Sequence, residues 1–100
     1  MLVKEKMKLC DNIYGSVHLK RWKTEEGFYI EYTPNTEDGS PTVYAEGKSL
    51  VACIENITDE CPFGKKELFS MVNIDEILET FDLSDTDKKY IIDLDEWIHF

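Results

Sequence analysis

The sequence predicts an α+β fold in which an antiparallel sheet of about four or five strands carries two helices packed on one face. Three observations lead to this prediction. Apolar and polar residues alternate over the first 46 residues, which is typical of strands. From residue 49 onward, apolar residues recur at the three- and four-residue spacing of helices. With 100 residues, the chain has the length of a single domain (residues 1–100) with one modest core.

The strands are predicted from alternation alone. The positions expected to face the core are Val3, Met7 and Leu9 in the first strand, Val17 and Leu19 in the second, and Phe28, Ile30 and Tyr32 in the third. Lysines occupy the other face of the first strand, which suits an exposed edge. An acidic, turn-rich segment between Pro34 and Pro41 then leads to the strand TVYAE, which predicts a hairpin.

A Gly-Lys-Ser sequence at residues 47–49 follows the last predicted strand, where a phosphate-binding loop would place it. Such a loop needs another glycine five residues before Gly47, and Thr42 occupies that position. Thr42 is β-branched and prefers extended backbone. We therefore interpret Gly47 as the end of the strand and Ser49 as the cap of the next helix.

Two helices are predicted from apolar spacing. The apolar face of the first is formed by Leu50, Cys53, Ile54 and Ile57, and Pro62 with Gly64 is expected to end it. The second begins at Asn73, which has the spacing of a capping box with Glu76. Its apolar face is formed by Ile74, Ile77, Leu78 and Phe81.

The segment after residue 83 is compatible with two structures. Ser84 could cap a third helix that aligns Ile91, Leu94 and Ile98. Alternatively, Tyr90, Ile92 and Leu94 alternate as in a strand. We favour a strand over residues 89–94, because β-branched and aromatic residues prefer strands.

The net charge of −10 is unevenly distributed, with +4 in residues 1–24 and −14 in the remaining 76 residues. Such a chain repels nucleic acid and anionic membranes over most of its surface, so we expect neither as a direct partner. The beginning of the chain lacks the continuous apolar centre of a signal peptide, and the three cysteines leave one unpaired in any disulfide scheme. We therefore expect a cytoplasmic protein.

The motifs of known enzyme classes are missing, so we expect a protein that is not an enzyme and uses no cofactor. The cysteines and histidines do not have the short spacing of structural zinc sites, and we expect no bound metal. The acidic tail resembles a calcium loop in composition, but Asp87 or Tyr90 stands where that loop requires glycine. An enzyme assembled from scattered carboxylates is the remaining catalytic possibility.

The last 28 residues combine carboxylates with aromatic residues, and we predict that they bind a protein partner. Nine acidic residues there oppose two lysines, a balance of −7. Carboxylates spaced along a surface can imitate a row of phosphates to a basic protein, and neighbouring aromatic side chains can anchor the complex. The predicted partner-binding residues are Asp82, Asp85, Asp87, Tyr90, Asp93, Asp95, Glu96 and Trp97.

The stretch GKSLVACIENI is similar to the strand-to-helix junction of HicB-type antitoxin domains, and GFYIEY resembles their first hairpin. The matching junction residues are Gly47, Ser49, Leu50, Glu55 and Asn56, and the resemblance covers about residues 27–57. The proline-rich segment that joins the strands of that family is absent, and no C-terminal DNA-binding segment is recognisable. The resemblance implies an acidic protein that sequesters a basic ribonuclease toxin.

The expected function is inhibition without catalysis. The chain would bind a basic nuclease toxin or nucleic-acid-binding effector protein and cover its nucleic-acid path, as immunity proteins, antitoxins and phage anti-restriction or anti-CRISPR proteins do. We expect a monomer rather than a homodimer, because lysines on an edge strand discourage strand addition. The alternative is a small structural or adaptor subunit that is acidic only for solubility.

Overall fold

The computed structural model describes residues 6–22, 26–57, 64–70 and 72–99, which form a four-stranded antiparallel sheet and four helices. The strands are β1 (Lys6–Asn12), β2 (Gly15–Arg21), β3 (Phe28–Pro34) and β4 (Thr42–Gly47), and they lie side by side in that order. The helices that follow are α1 (Leu50–Glu55), α2 (Lys65–Phe69), α3 (Ile74–Thr80) and α4 (Asp85–His99). The prediction of an α+β fold is confirmed.

One face of the sheet and the inner faces of the helices form a single hydrophobic core. The strand residues buried in it are Met7, Leu9, Val17, Leu19, Phe28, Ile30 and Ala45, in agreement with the predicted alternation. Val3 lies outside the described residues. The rings of Phe28 and Phe81 meet edge to face at 5.6 Å, which joins β3 to the end of α3 through a favoured aromatic geometry.

The opposite face of the sheet carries polar side chains that are exposed or half-buried. Lys20 on β2 and Glu31 on β3 form an ion pair there, with Nζ and Oε1 2.6 Å apart. The rings of Trp22 and Tyr29 stack at 4.2 Å on the same face. Burial, and then the neighbouring lysines of β1 and β2, lower the pKa of His18. Lys6, Lys8 and Lys20 thus lie on this face, whereas Lys65 and Lys66 lie on α2 and Lys88 and Lys89 on α4.

Residues 85–99 form one continuous helix, so the prediction of a strand over residues 89–94 is wrong. The backbone N–H of Asp87 donates to Ser84 Oγ at 3.3 Å, which is the cap that the alternative interpretation required. Ile91 and Ile98 are buried on the inner side of α4, whereas Ile92 is exposed. Strand preference is a weak local tendency, and the burial of the apolar stripe against α1 and α3 outweighs it.

The first predicted helix is shorter than expected. α1 ends at Glu55, and a separate short helix, α2, begins after Gly64. Beyond the end of α1, Asn56 donates a side-chain hydrogen bond to the backbone oxygen of Glu46, 2.7 Å away on β4. This contact holds the end of α1 against the last strand. Pro62 lies outside the described residues.

Residues 47–49 form the turn and helix cap that we predicted. Ser49 Oγ accepts a hydrogen bond from the backbone N–H of Ala52 at 3.1 Å, and Lys48 is exposed. Gly47 is packed so closely that a Cβ atom there would lie 2.4 Å from the backbone nitrogen of Cys53. Only glycine therefore allows α1 to begin so close to the end of β4.

Ser49→Ala is expected to lower the free energy of unfolding by about 0.5–2 kcal/mol, because the N–H of Ala52 loses its acceptor. Lys48→Ala, at the exposed neighbouring position, is the control and should change it by less than about 0.5 kcal/mol. Urea unfolding followed by circular dichroism measures both values. Equal stabilities of the two variants would contradict the capping role.

Candidate protein-binding surface

The eight predicted partner-binding residues do not share one surface. Seven of them lie on α4, and Asp82 is exposed in the segment that precedes it. Because an α-helix turns once in 3.6 residues, consecutive positions of α4 point in different directions. The structure divides the seven into an exposed face, a buried position, and two flanks that contact different helices.

The exposed face of α4 carries Asp85, Asp93 and Glu96, which we call the carboxylate face. Lys89 and Ile92 lie between these acids on the same side of the helix and are also exposed. The carboxylates therefore alternate with a cation and an apolar side chain. The neighbouring helix α3 adds three further exposed acids, Asp75, Glu76 and Glu79.

The prediction that Asp87 binds a partner requires a correction, because this residue is buried and only 5% exposed. Its two carboxylate oxygens accept hydrogen bonds from the first backbone N–H groups of α1, from Val51 at 3.2 Å and from Leu50 at 3.4 Å. A carboxylate at a helix N-terminus is favourable, because those N–H groups have no partner within the helix and carry partial positive charge. Asp87 therefore joins α4 to α1 and is not available to a partner.

Asp95 lies on the flank of α4 that faces α3. It is half-buried, with Oδ1 3.5 Å from Nε2 of His99 one turn later. It borders a small apolar crevice that is also lined by Phe69, Val72, Ile74, Ile77 and Ile98. Asp95 is thus separated from Asp93 by the width of the helix.

The opposite flank of α4 forms a shallow groove with the beginning of α2. Lys65, Tyr90, Asp93, Leu94 and Trp97 line it, and we call it the α4 groove. Tyr90, Asp93 and Trp97 are spaced three and four residues apart, so they follow one another along this side of the helix. Trp97 is 58% exposed, which is unusual for a tryptophan and leaves its ring accessible to a partner.

Polar contacts connect the α4 groove to α1 and α2. The Tyr90 hydroxyl donates to Oε1 of Glu55 at 2.5 Å, and Lys65 Nζ lies 3.3 Å from the other Glu55 oxygen. These two contacts lower the pKa of Glu55, whereas burial, aided by the same hydrogen bond, raises the pKa of Tyr90. Tyr90 is therefore a neutral hydrogen-bond donor whose ring is held in place.

A second cation contacts the exposed aromatic ring. Lys66 Nζ lies 5.9 Å from the centroid of the Trp97 ring, close to the outer limit of a cation–π interaction. Sequence reasoning did not identify Glu55, Lys65 or Lys66 as parts of this site. They belong to α1 and α2, and only the packing of these helices on α4 brings them to Tyr90 and Trp97.

In the part of the chain that the structure describes, no three His, Cys, Asp or Glu side chains come together as a metal ion would require. None of its helices has both the length and the apolar composition needed to cross a membrane.

Comparisons with protein-family models, with curated proteins and with solved structures found no significant match to this chain. The resemblance of residues 27–57 to HicB-type antitoxin domains therefore stays a prediction.

Proposed function

We propose that this chain is a non-catalytic inhibitor that binds a basic, nucleic-acid-handling protein and blocks access of nucleic acid. It binds through the α3–α4 surface, by which we mean Trp97 and the exposed acids Asp75, Glu76, Glu79, Asp82, Asp85, Asp93 and Glu96. The observation that carries the proposal is the solvent exposure of the nine acidic residues after residue 72. Seven of them are exposed, Asp95 is half-buried, and only Asp87 is buried. This part of the chain thus presents most of its negative charge to solvent, where it attracts a basic partner.

The distribution of charge over the fold supports an oriented complex. The helical layer carries the acids of α3 and α4, whereas Lys6, Lys8 and Lys20 lie on the open face of the sheet. Because the last 28 residues carry a balance of −7, a basic partner is attracted more strongly to α3 and α4 than to the sheet and its loops. Such steering favours a single binding mode.

Acids alone give weak complexes, because exposed ion pairs contribute little affinity. Interfaces are usually held by a few buried aromatic or arginine side chains, surrounded by polar contacts that exclude water. Trp97 lies beside Asp93 and Glu96 and is exposed enough to serve as such an anchor. The combination of a carboxylate face and an exposed tryptophan supports protein binding over mere solubility.

The partner we propose is a basic nuclease toxin or nucleic-acid-binding effector, met by a monomer of this chain in the cytoplasm. An immunity protein, an antitoxin, and a phage anti-restriction or anti-CRISPR protein all fit this description. The HicB-like residues favour an antitoxin, with a basic ribonuclease as its partner. A gene for a basic nuclease beside this one would favour an immunity protein or antitoxin, whereas an operon of small phage proteins would favour an anti-defence role.

The test is capture from a nuclease-treated lysate of the native host, with the immobilised chain as bait. We expect a basic nucleic-acid-binding protein that is released as salt rises from 50 to 500 mM, a change that shortens the screening length roughly threefold. The purified partner should bind either this chain or its nucleic acid, but not both. A partner that binds both at once, with no dependence on salt, would favour the adaptor alternative instead.

A further inference from the structure

We propose that the α4 groove is a binding site for an arginine side chain of the partner protein, which stacks on Trp97 and donates hydrogen bonds to Asp93. This inference rests on the proposed function, because it specifies the chemistry by which a basic partner is held. It also predicts a property of the isolated chain, which can be measured before any partner is known.

Two cations of the chain already lie beside the α4 groove. Lys66 Nζ lies 5.9 Å from the Trp97 centroid, and Lys65 Nζ lies 3.3 Å from Oε2 of Glu55. One ammonium group of the chain thus lies near the face of Trp97, and the other is paired with Glu55, the carboxylate to which the Tyr90 hydroxyl donates. They indicate the class of group that the groove takes, which is an organic cation.

The lysine beside Trp97 is weakly held, so a cation of the partner can displace it. A contact at 5.9 Å is near the limit of about 6 Å at which a cation–π interaction is significant. Lys66 is exposed and has a flexible four-carbon side chain, so it gains little from this position. An incoming cation that approaches the ring more closely can therefore displace it.

The geometry of the groove suits arginine better than lysine. Asp93 and Trp97 are one helical turn apart on the same side of α4, and both line the groove. A planar guanidinium can stack on the indole ring while its edge donates two parallel hydrogen bonds to a carboxylate, whereas an ammonium group has neither a plane that stacks nor such an edge. The apolar side chain of Leu94 lies in the same groove and can contact the arginine stem.

One wall of the groove, the Tyr90 ring, is preorganised. The Tyr90 ring is half-buried, and its hydroxyl is hydrogen-bonded to Glu55 at 2.5 Å. A ring that is already ordered loses little further conformational entropy when a ligand packs against it. The groove thus combines an ordered wall with an exposed ring whose present partner is weakly held.

The experiment follows the fluorescence of Trp97 in a Trp22→Phe background. Trp22 is the only other tryptophan, and it stacks on Tyr29 on the open face of the sheet. The probes are an acetylated tetra-arginine amide, the tetra-lysine peptide of equal charge, and the neutral tetra-citrulline peptide of equal shape. We expect saturable binding of tetra-arginine at least about threefold tighter than that of tetra-lysine, and none of tetra-citrulline. Equal binding of the two cationic peptides would overturn the proposal.

Matched variants separate the groove from the overall charge. Asp93→Asn should weaken tetra-arginine binding about threefold to tenfold, because a charged hydrogen bond is lost. Asp85→Asn removes the same charge from the exposed side of α4 and should weaken it by less than about twofold. Equal losses in these two variants would contradict a site in the groove.

Removal of the Lys66 charge should strengthen the binding of tetra-arginine, whereas Asp93→Asn should weaken it. Lys66→Gln frees the Trp97 face and should tighten tetra-arginine binding more than Lys89→Gln, which removes the same charge from the exposed side of α4. Equal tightening would overturn the proposal, because only net charge would then matter. The groove variants could have no effect while binding of the captured partner still depends on salt and on reversal of the exposed acids. That result would contradict the arginine site but support the proposed function.

Discussion

Asp87→Ala is expected to lower the free energy of unfolding by about 2–3 kcal/mol, the largest loss we predict for any acidic residue described on α4. Asp87 accepts hydrogen bonds from the N–H groups of Leu50 and Val51, and Ser49 accepts from the next one, that of Ala52. Two side chains thus satisfy the first three N–H groups of α1. Without Asp87, two of these groups lose their acceptor, and the donor of Leu50 is in the core.

The control is Asp85→Ala, two residues earlier on the same helix and exposed. It should change the free energy of unfolding by no more than about 0.5 kcal/mol. Asp87→Asn should lie between the two, because one acceptor oxygen remains while the charge at the N-terminus of α1 is lost. Urea unfolding of the three variants measures these differences. Similar values for Asp87→Ala and Asp85→Ala would show that the carboxylate does not hold α1 to α4.

Reversal of four exposed acids, Asp82, Asp85, Asp93 and Glu96, to lysine should slow association with the captured partner by about tenfold or more at physiological salt. Long-range attraction sets the rate of encounter, so the effect should diminish as salt rises. Stopped-flow measurements from 50 to 500 mM salt determine it. Asp87 is left unchanged, because its change to lysine would destabilise the beginning of α1. A slower association could then result from lost stability and not from lost attraction.

A matched reversal on the other side of the molecule is the control. Glu26, Glu37, Asp38 and Glu46 are exposed in the sheet and its loops, and their change to lysine alters the net charge equally. This variant should slow association less than the α4 variant does. If both variants slow it equally, only the net charge is recognised, and the α3–α4 surface is not the binding site.

Trp97→Ala should act on the other rate constant. The loss of an anchor that is buried only in the complex raises the dissociation rate, by about tenfold for a residue of this size, and leaves association nearly unchanged. Because Trp97 is 58% exposed in the free chain, its removal should cost the monomer little stability. An unchanged dissociation rate would remove Trp97 from the interface.

Local patterns were sufficient to predict the sheet. Alternation placed Val17, Leu19 and Ile30 in the core, and all three are buried. Strand periodicity has two outcomes, inward and outward, so a short window of sequence decides between them. The cap at Ser49 was equally predictable, because it depends on residues within one turn.

The last helix shows where local preference fails. Residues 89–94 have the composition of a strand, yet they lie within α4. A helical pattern was present over a longer range, since Asp87, Ile91, Leu94 and Ile98 recur at intervals of three and four residues and all are buried. The same pattern places Asp87 on the inner side, and its spacing from Ser84 is that of a capping box. Asp87 was predicted to be a surface acid because the prediction used the acidic composition of the segment and not the position of each residue around a helix.

By itself, the sequence determined the α+β class, the core positions of the strands, the capped beginning of α1 and the acidic character of the C-terminal third. Each of these depends on residues close together in the chain or on composition alone. Only the tertiary structure decided which acids are available and what surrounds Trp97. The carboxylate of Asp87 binds an N-terminus 36 residues earlier in the chain, and Glu55, Lys65 and Lys66 reach Tyr90 and Trp97 from other helices. Such contacts depend on how helices pack around a shared core, which no local pattern of residues specifies.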